Sequence, residues 1–424
     1  MLNFFYNFLF IIPANIIVKI IVLFDKKLAD KERNWLSSLD SLNKLDKSKK
    51  NIWFHSSSMG EFEQAKPIIE QIKASSDNFN IIISFFSPSG FNNQKNYPYA
   101  DAVLYMPIDT KSKSKFFINR INPSIAIFVR YDIWRNHLLE LKSKNIESLL
   151  ICATKSNSKL LTESNILKAL YTSNLNLINE IYAVNLEQYN FFKSLELTSE
   201  VIQSFDTRND RIIQKVNESK LDPIFSKEIF GNKKVIVAGS TWGTDEDILI
   251  HTYEKLKGKF EIQLILVPHE PTKEHLSDLI LKIENYILLS SINFNNPQNV
   301  NKEVENKIVI VDSIGKLLQL YANADIAYIG GGFGAGVHSV TEPAGYGIPV
   351  ISGPKFRNSP DAVEMFKRES FMSVESEESL SKTMDKLLSN GEFLTKISKL
   401  NYEYIQEGKG ESTKLSDIIL SKLL

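Results

Sequence analysis

The chain has 424 residues, with 50 basic and 50 acidic side chains, 43% hydrophobic residues and 24% charged residues. These values exclude a disordered, collagen-like or wholly membrane-embedded chain, and the length suits two or three domains. Zero formal net charge gives no general attraction to nucleic acid, so no nucleic-acid partner is expected. The single cysteine, Cys152, excludes an intrachain disulfide and a cysteine metal cluster.

Residues 1–24 read MLNFFYNFLFIIPANIIVKIIVLF, with Lys19 the one charged side chain. Early positive charge and a small-residue cleavage site, the marks of a signal peptide, are not evident. The run reaches the ~20 residues that a membrane span needs. Asn3, Asn7, Pro13, Asn15 and Lys19 interrupt it, and Lys26, Lys27, Lys31 and Arg33 follow. Three placements fit: an anchor with its downstream side cytoplasmic, a helix lying in the interface, or a helix docked on its own domain.

Beyond the charged stretch Lys26–Lys50, strand-like and helix-like segments alternate. Asn51–His55, Ile81–Phe86, Ser124–Val129, Ser148–Ala153 and Tyr182–Val184 read as strands, and Glu61–Ser75 as a helix. Thr198–Asp222 is mixed in polarity and marks a boundary. The pattern restarts with strands at Lys234–Gly239, Glu261–Val267, Lys307–Val311, Ile326–Gly330 and Pro349–Ser352. Residues 292–306 are Asn-rich and predict a loop. Parallel βαβ units in two halves predict an α/β fold of two doubly wound domains facing a cleft, with ligands at the carboxyl ends of the strands.

Several motifs fall at such ends. Ser56-Ser57-Ser58-Met59-Gly60-Glu61 follows the first strand. Small residues permit a tight turn into a helix, whose start favours an anion and an ionised Glu61. That carboxylate fits a general base, and equally a capping acid. Ala238-Gly239-Ser240-Thr241 ends the first strand of the second half, as a phosphate-holding loop or an ordinary βα turn. Gly330–Gly336 holds five glycines in seven residues, which permits close approach of backbone to ligand. Its place late in the chain argues against a dinucleotide fingerprint. A helix starting near Ser339 would aim N–H groups at this loop, with Glu342 accepting from ribose hydroxyls, from Ser339 in a capping box, or both. None of the six histidines, His55, His137, His251, His269, His275 and His338, has a metal-ligand spacing, and most are expected to be surface or structural residues.

Taken in order, WFHSSSMGE (53–61), AGSTW (238–242), LVPHEP (266–271), VDSIGKLLQLYANADIAYIGG (311–331) and GVHSVTEPAGYGIPVISGP (336–354) resemble the Kdo (3-deoxy-D-manno-octulosonic acid) transferases of lipopolysaccharide synthesis. The resemblance spans nearly the whole chain. It implies a GT-B architecture with a hydrophobic membrane segment at 1–25, an acceptor-binding domain at 26–205 and a CMP-sugar-binding domain at 206–424 whose last helix crosses back. It implies transfer of Kdo from CMP-Kdo to a lipid A precursor at the cytoplasmic face of the inner membrane, with inversion and without cofactor or metal. By resemblance, Glu61 is the general base, with Asp132 and Arg208 also catalytic. Pro268, His269, Ile314, Gly315, Lys316, Ser339, Val340, Thr341 and Glu342 match CMP-contacting segments, and Gly239, Ser240 and Thr241 form the donor phosphate loop.

The chain also departs from the family pattern. The ETELWP-like segment is Arg130-Tyr131-Asp132-Ile133-Trp134-Arg135, which puts an arginine where an acid is usual. His269 stands for a common arginine and Ser339 for a usual asparagine. Two other classes remain: a UDP-sugar 2-epimerase of the same architecture, separated by CMP against UDP binding, and a catalytically inactive membrane-bound homologue, separated by turnover.

Overall fold

The computed structural model describes residues 3, 6–21, 24–155 and 164–423. The chain divides into two compact units, Met1–Asp210 with Gly408–Leu424, and Arg211–Glu407. Each is built on a seven-stranded, wholly parallel sheet.

The strands of the first unit are β1 (Lys50–Ser56), β2 (Phe79–Phe85), β3 (Ala102–Tyr105), β4 (Ile125–Val129), β5 (Glu147–Ala153), β6 (Glu180–Ala183) and β7 (Glu200–Gln203), in the order β3-β2-β1-β4-β5-β6-β7. Those of the second are β8 (Lys234–Thr241), β9 (Ile262–Pro268), β10 (Tyr286–Leu288), β11 (Ile308–Ile310), β12 (Ile326–Ile329), β13 (Val350–Ser352) and β14 (Phe371–Ser373), in the order β10-β11-β9-β8-β12-β13-β14. The order reverses between β1 and β4 in one sheet and between β8 and β12 in the other. Chains leaving neighbouring strands there go to opposite faces and leave a crevice at the carboxyl edge. The Ser57–Glu61 and Arg130–Trp134 segments follow β1 and β4, the Ser240–Trp242 segment closes β8, and Gly330–Gly336 follows β12.

β-Branched and aromatic side chains fill both faces of each sheet, as parallel sheets covered by helices require. In the first unit Ile52, Phe54, Ile81, Ile83, Ile125 and Ile127 form one face. The carboxyl-terminal helix Glu411–Ser421 covers it with Leu415 and Ile419, beside Ile68, Ile69 and Ile72 of the helix Met59–Ser75. The polar stretch 292–306, expected as a loop, contains a helix at Pro297–Val304. Val300 and Val304, four residues apart, are buried in the core of the second unit, so tertiary packing overrides the Asn-rich composition.

The membrane-spanning form of the 1–25 segment is not found among the described residues, where no helix is long and apolar enough to cross a membrane. A five-residue π-turn (Asn7–Ile11) leads into a ten-residue helix (Ile12–Ile21). At 1.5 Å per residue they span about 20 Å, against a hydrocarbon core of about 30 Å. One side docks on the first unit. Tyr6 and Ile11 are buried against Leu170, and the Tyr6 hydroxyl donates to Asp109 (2.8 Å). Phe8, Ile12, Ile16 and Ile20, spaced by four, stay more than half exposed.

Candidate functional site

In the first unit Ser58 caps the helix Met59–Ser75. The Glu61 N–H donates to its hydroxyl, and the Ser58 N–H donates to Glu61 Oε2 (2.9 Å). The capping role is therefore real, and it fixes the carboxylate at the β1/β4 crossover. Glu61 is 3% exposed. Burial, then the charge of Asp132, pushes its carboxyl up from the usual carboxylate range; the Ser58 N–H, His55 and Arg130 pull the other way. A carboxylate made more basic, yet still hydrogen-bonded, is poised to accept a proton.

Asp132 is held on three sides. Ser57 donates to Oδ2, the Trp134 indole N–H donates to Oδ1 (2.8 Å), and His55 Nε2 lies 2.7 Å from Oδ2. His55 is fully buried, and its Nδ1 bonds the Ser84 hydroxyl (2.8 Å), which also accepts from Trp53. His55 faces Ser84 because β1 pairs with β2 in that register. The residue expected to be structural thus orients an expected catalytic one. Arg130 sits at φ 66°, a left-handed conformation that costs a non-glycine residue roughly 1–2 kcal/mol. Its guanidinium lies over the Tyr131 ring (5.6 Å), and its Nε is buried without a hydrogen-bond partner.

Arg208 opens the helix Arg208–Leu221 and bonds Asp206 through Nε (3.0 Å) and Nη2 (2.6 Å), while Gln64 also donates to Asp206. Its charge is therefore already balanced within the first unit. Asp206 stays below the usual range because these bonds and the Arg208 charge outweigh its burial.

In the second unit Asp245, 1% exposed, organises the crossover and was not singled out by sequence reasoning. It accepts from Tyr328 Oη (2.7 Å), Gly331 N (2.9 Å) and Trp242 N (3.1 Å), tying the β8 turn to the glycine loop. A Cβ on Gly330 would lie 2.1 Å from the Ser240 carbonyl, so the two loops touch through backbone. Gly239 is needed for packing against Tyr321 and Leu317, and the Thr241 hydroxyl donates to Glu246 (2.9 Å), leaving the Ser240 hydroxyl as the half-buried donor of that turn.

Pro268 ends β9, and His269 is exposed beyond it. Ile314, Gly315 and Lys316 are exposed. Gly315 and Glu342 share a cavity of about 370 Å³ with Lys215, Ser219 and Leu317. Burial raises the Glu342 carboxyl, and the Lys215 charge offsets part of that. The helix expected to start near Ser339 begins at Thr341 and has six residues. Val340 caps it, so the Ser339–Glu342 capping box does not form; the Ser339 hydroxyl lies 3.3 Å from that of Thr341.

Residues 32–211 match the family described as 3-deoxy-D-manno-octulosonic-acid transferase (kdotransferase). A 3-deoxy-D-manno-octulosonic acid transferase of Haemophilus influenzae is 25% identical over 380 residues, 87% of this chain and 86% of its own. A bifunctional glycosyltransferase/methyltransferase of Fusobacterium nucleatum is 28% identical over 80% of this chain and 53% of its own. Among solved structures, UDP-GlcNAc 2-epimerase of Neisseria meningitidis shares the fold with a TM-score of 0.57 at 15% identity, covering 88% of this chain and 99% of that one. The chain is thus similar to the Kdo transferases over most of its length, and its residues 32–211 match their family model.

Proposed function

We propose that this chain transfers Kdo from CMP-Kdo to a lipid A precursor, lipid IVA, at the cytoplasmic face of the inner membrane. The observation that carries the reading is the Glu61–Asp132–His55 cluster at the β1/β4 crossover, within the segment that matches the family. Glu61 takes the proton of the attacking lipid A hydroxyl as oxygen bonds the anomeric carbon. The bond from that carbon to the CMP phosphate breaks with inversion, and CMP leaves with the bonding pair. Ser240, Lys316 and the glycine-loop backbone of the second unit are the donors for its growing charge; Arg208, expected to share that role, is committed to Asp206. Glu342 accepts from the ribose hydroxyls. Incubation with CMP-Kdo and tetra-acylated lipid A precursor should give Kdo-modified lipid and CMP. Turnover of a UDP-sugar in its place would favour the epimerase class, and no turnover with either the inactive homologue.

Arg130 is assigned to an acceptor phosphate, since its guanidinium has a buried nitrogen without a partner and forms no ion pair among the described residues. Arg130→Ala should raise the acceptor KM roughly tenfold or more, the worth of a charge-assisted hydrogen bond, while the donor KM stays near wild type. Equal effects on both would return Arg130 to a structural role.

The apolar stripe Phe8, Ile12, Ile16 and Ile20 lies in the membrane interface, with Tyr6 and Ile11 holding the helix to the protein. Ile16→Asp with Ile20→Asp should weaken binding to anionic vesicles by roughly tenfold or more and leave the thermal midpoint unchanged, because both side chains are exposed. Flotation with vesicles checks this, and undiminished binding would place the contact elsewhere.

A further inference from the structure

Three ring side chains meet at the carboxyl edge of the second sheet, on the loops after three adjacent strands. Trp242 follows β8, His269 follows β9, and His338 follows the glycine loop after β12. Trp242 and His269 have ring centroids 4.9 Å apart at 33°, and His269 and His338 stack at 4.2 Å and 19°. Backbone fixes the ladder: the His269 N–H donates to the Thr241 carbonyl (3.0 Å) and the His338 N–H to that of Gly330. Gly331, at φ 88°, lies so close to the His338 ring that a Cβ there would come within 3.1 Å. His269 is exposed and Trp242 is 39% exposed, so a ligand reaches the rings.

The Trp242 indole N–H points at His338 Nε2, 3.2 Å away. An indole N–H only donates, so Nε2 must carry a lone pair and His338 is neutral, with its proton on Nδ1. Burial, then the neighbouring His269, lowers the pKa of His338, and Asp245 partly opposes them. Two imidazolium rings stacked this closely would repel, so the geometry opposes a doubly charged pair. The other ionisable groups in these elements are Glu270, next in the β9 loop, the Glu246–His275 pair (2.9 Å), and Lys355, which donates to the Gly334 carbonyl of the glycine loop. The edge therefore presents a chargeable ring pair with a built-in lock on one member.

We propose that the stacked His269–His338 pair is a proton-coupled anion receptor of the donor site: it binds the phosphate of a nucleotide by taking up a proton, and Trp242 sets how readily it does so. The proposal rests on the nucleotide-sugar reading above. The proton comes from solvent and resides on the imidazole pair, and no covalent bond changes.

The test is calorimetric titration of the full chain with CMP, cytidine and UMP at about pH 8, where the CMP phosphate, with a second pKa near 6, is already dianionic. Buffers of different protonation enthalpy report protons bound. CMP should bind with uptake of up to about one proton per nucleotide, and cytidine with none. His269→Arg supplies a permanent charge on an exposed ring position, so CMP should still bind, now without uptake. Trp242→Phe removes the lock; at this pH the free pair stays almost wholly neutral, protonation on binding becomes easier, and CMP should bind more tightly with uptake no smaller than in the wild type. CMP binding whose heat is independent of buffer overturns the proposal and leaves the donor reading standing. Uptake that survives His269→Arg combined with His338→Gln also overturns it. Binding of UMP with uptake, and none of CMP, keeps the receptor and removes the cytidine reading.

Discussion

Glu61→Gln should lower kcat for Kdo transfer by ~10²–10⁴-fold, the usual worth of a positioned general base. Glutamine keeps the size of the side chain and an acceptor oxygen for the Ser58 N–H, so the cap at the start of the helix Met59–Ser75 survives. It cannot take the proton of the attacking hydroxyl. Affinity for CMP-Kdo should hold, because Glu61 belongs to the first unit and the segments proposed to contact CMP belong to the second. Removing a buried carboxyl whose ionisation is opposed by burial and by Asp132 should leave the thermal midpoint level or slightly higher. If Glu61 served only as a cap, Glu61→Gln would leave both stability and turnover near wild type, because glutamine caps as well. Single-turnover kinetics with the melting curve of the same variant separate the two.

The residues legible in the sequence are those whose role is local. Glu61 could be found because a strand, a run of small residues and a helix start adjoin within Trp53–Glu61. The glycine loop announced itself by composition. The partners that tune these groups are remote in the chain. His55 reaches Ser84 through the β1–β2 register, Asp245 reaches Gly331 across 86 residues, and Trp242 reaches His338 across 96. No periodicity or spacing encodes such contacts, because strand order decides them. Asp132 drew notice through its match to the family segment, and nothing around it foretold that Ser57, Trp134 and His55 would all converge on it. The strands β3, β7, β10 and β14, three or four residues each, were missed because so short a run shows no period. The helix Pro297–Val304 was hidden by its asparagines, and two buried valines decide it.

Asp132→Asn should change the pH dependence of transfer as well as its rate. Asp132 is the second cause, after burial, that holds the Glu61 carboxyl above its ordinary value. Removing that charge lowers the Glu61 pKa, so Glu61 stays ionised to lower pH and the acid limb of kcat/KM moves to lower pH. The base becomes weaker by the same change, and the rate on the plateau falls. Asparagine also disturbs the cradle. One of its two terminal atoms is an amide nitrogen, which can accept from neither Ser57 nor the Trp134 indole and must face one of them or His55. Displacement of this small cluster should cost a further ~10²-fold in kcat, as misplacement near reacting atoms does. A purely structural Asp132 predicts another pattern: a lower thermal midpoint, a reduced rate in proportion to the folded fraction, and an acid limb that does not move. Measuring the full pH profile of Asp132→Asn beside that of the wild type, under conditions where both are folded, decides between them. An unmoved acid limb would detach Asp132 from Glu61.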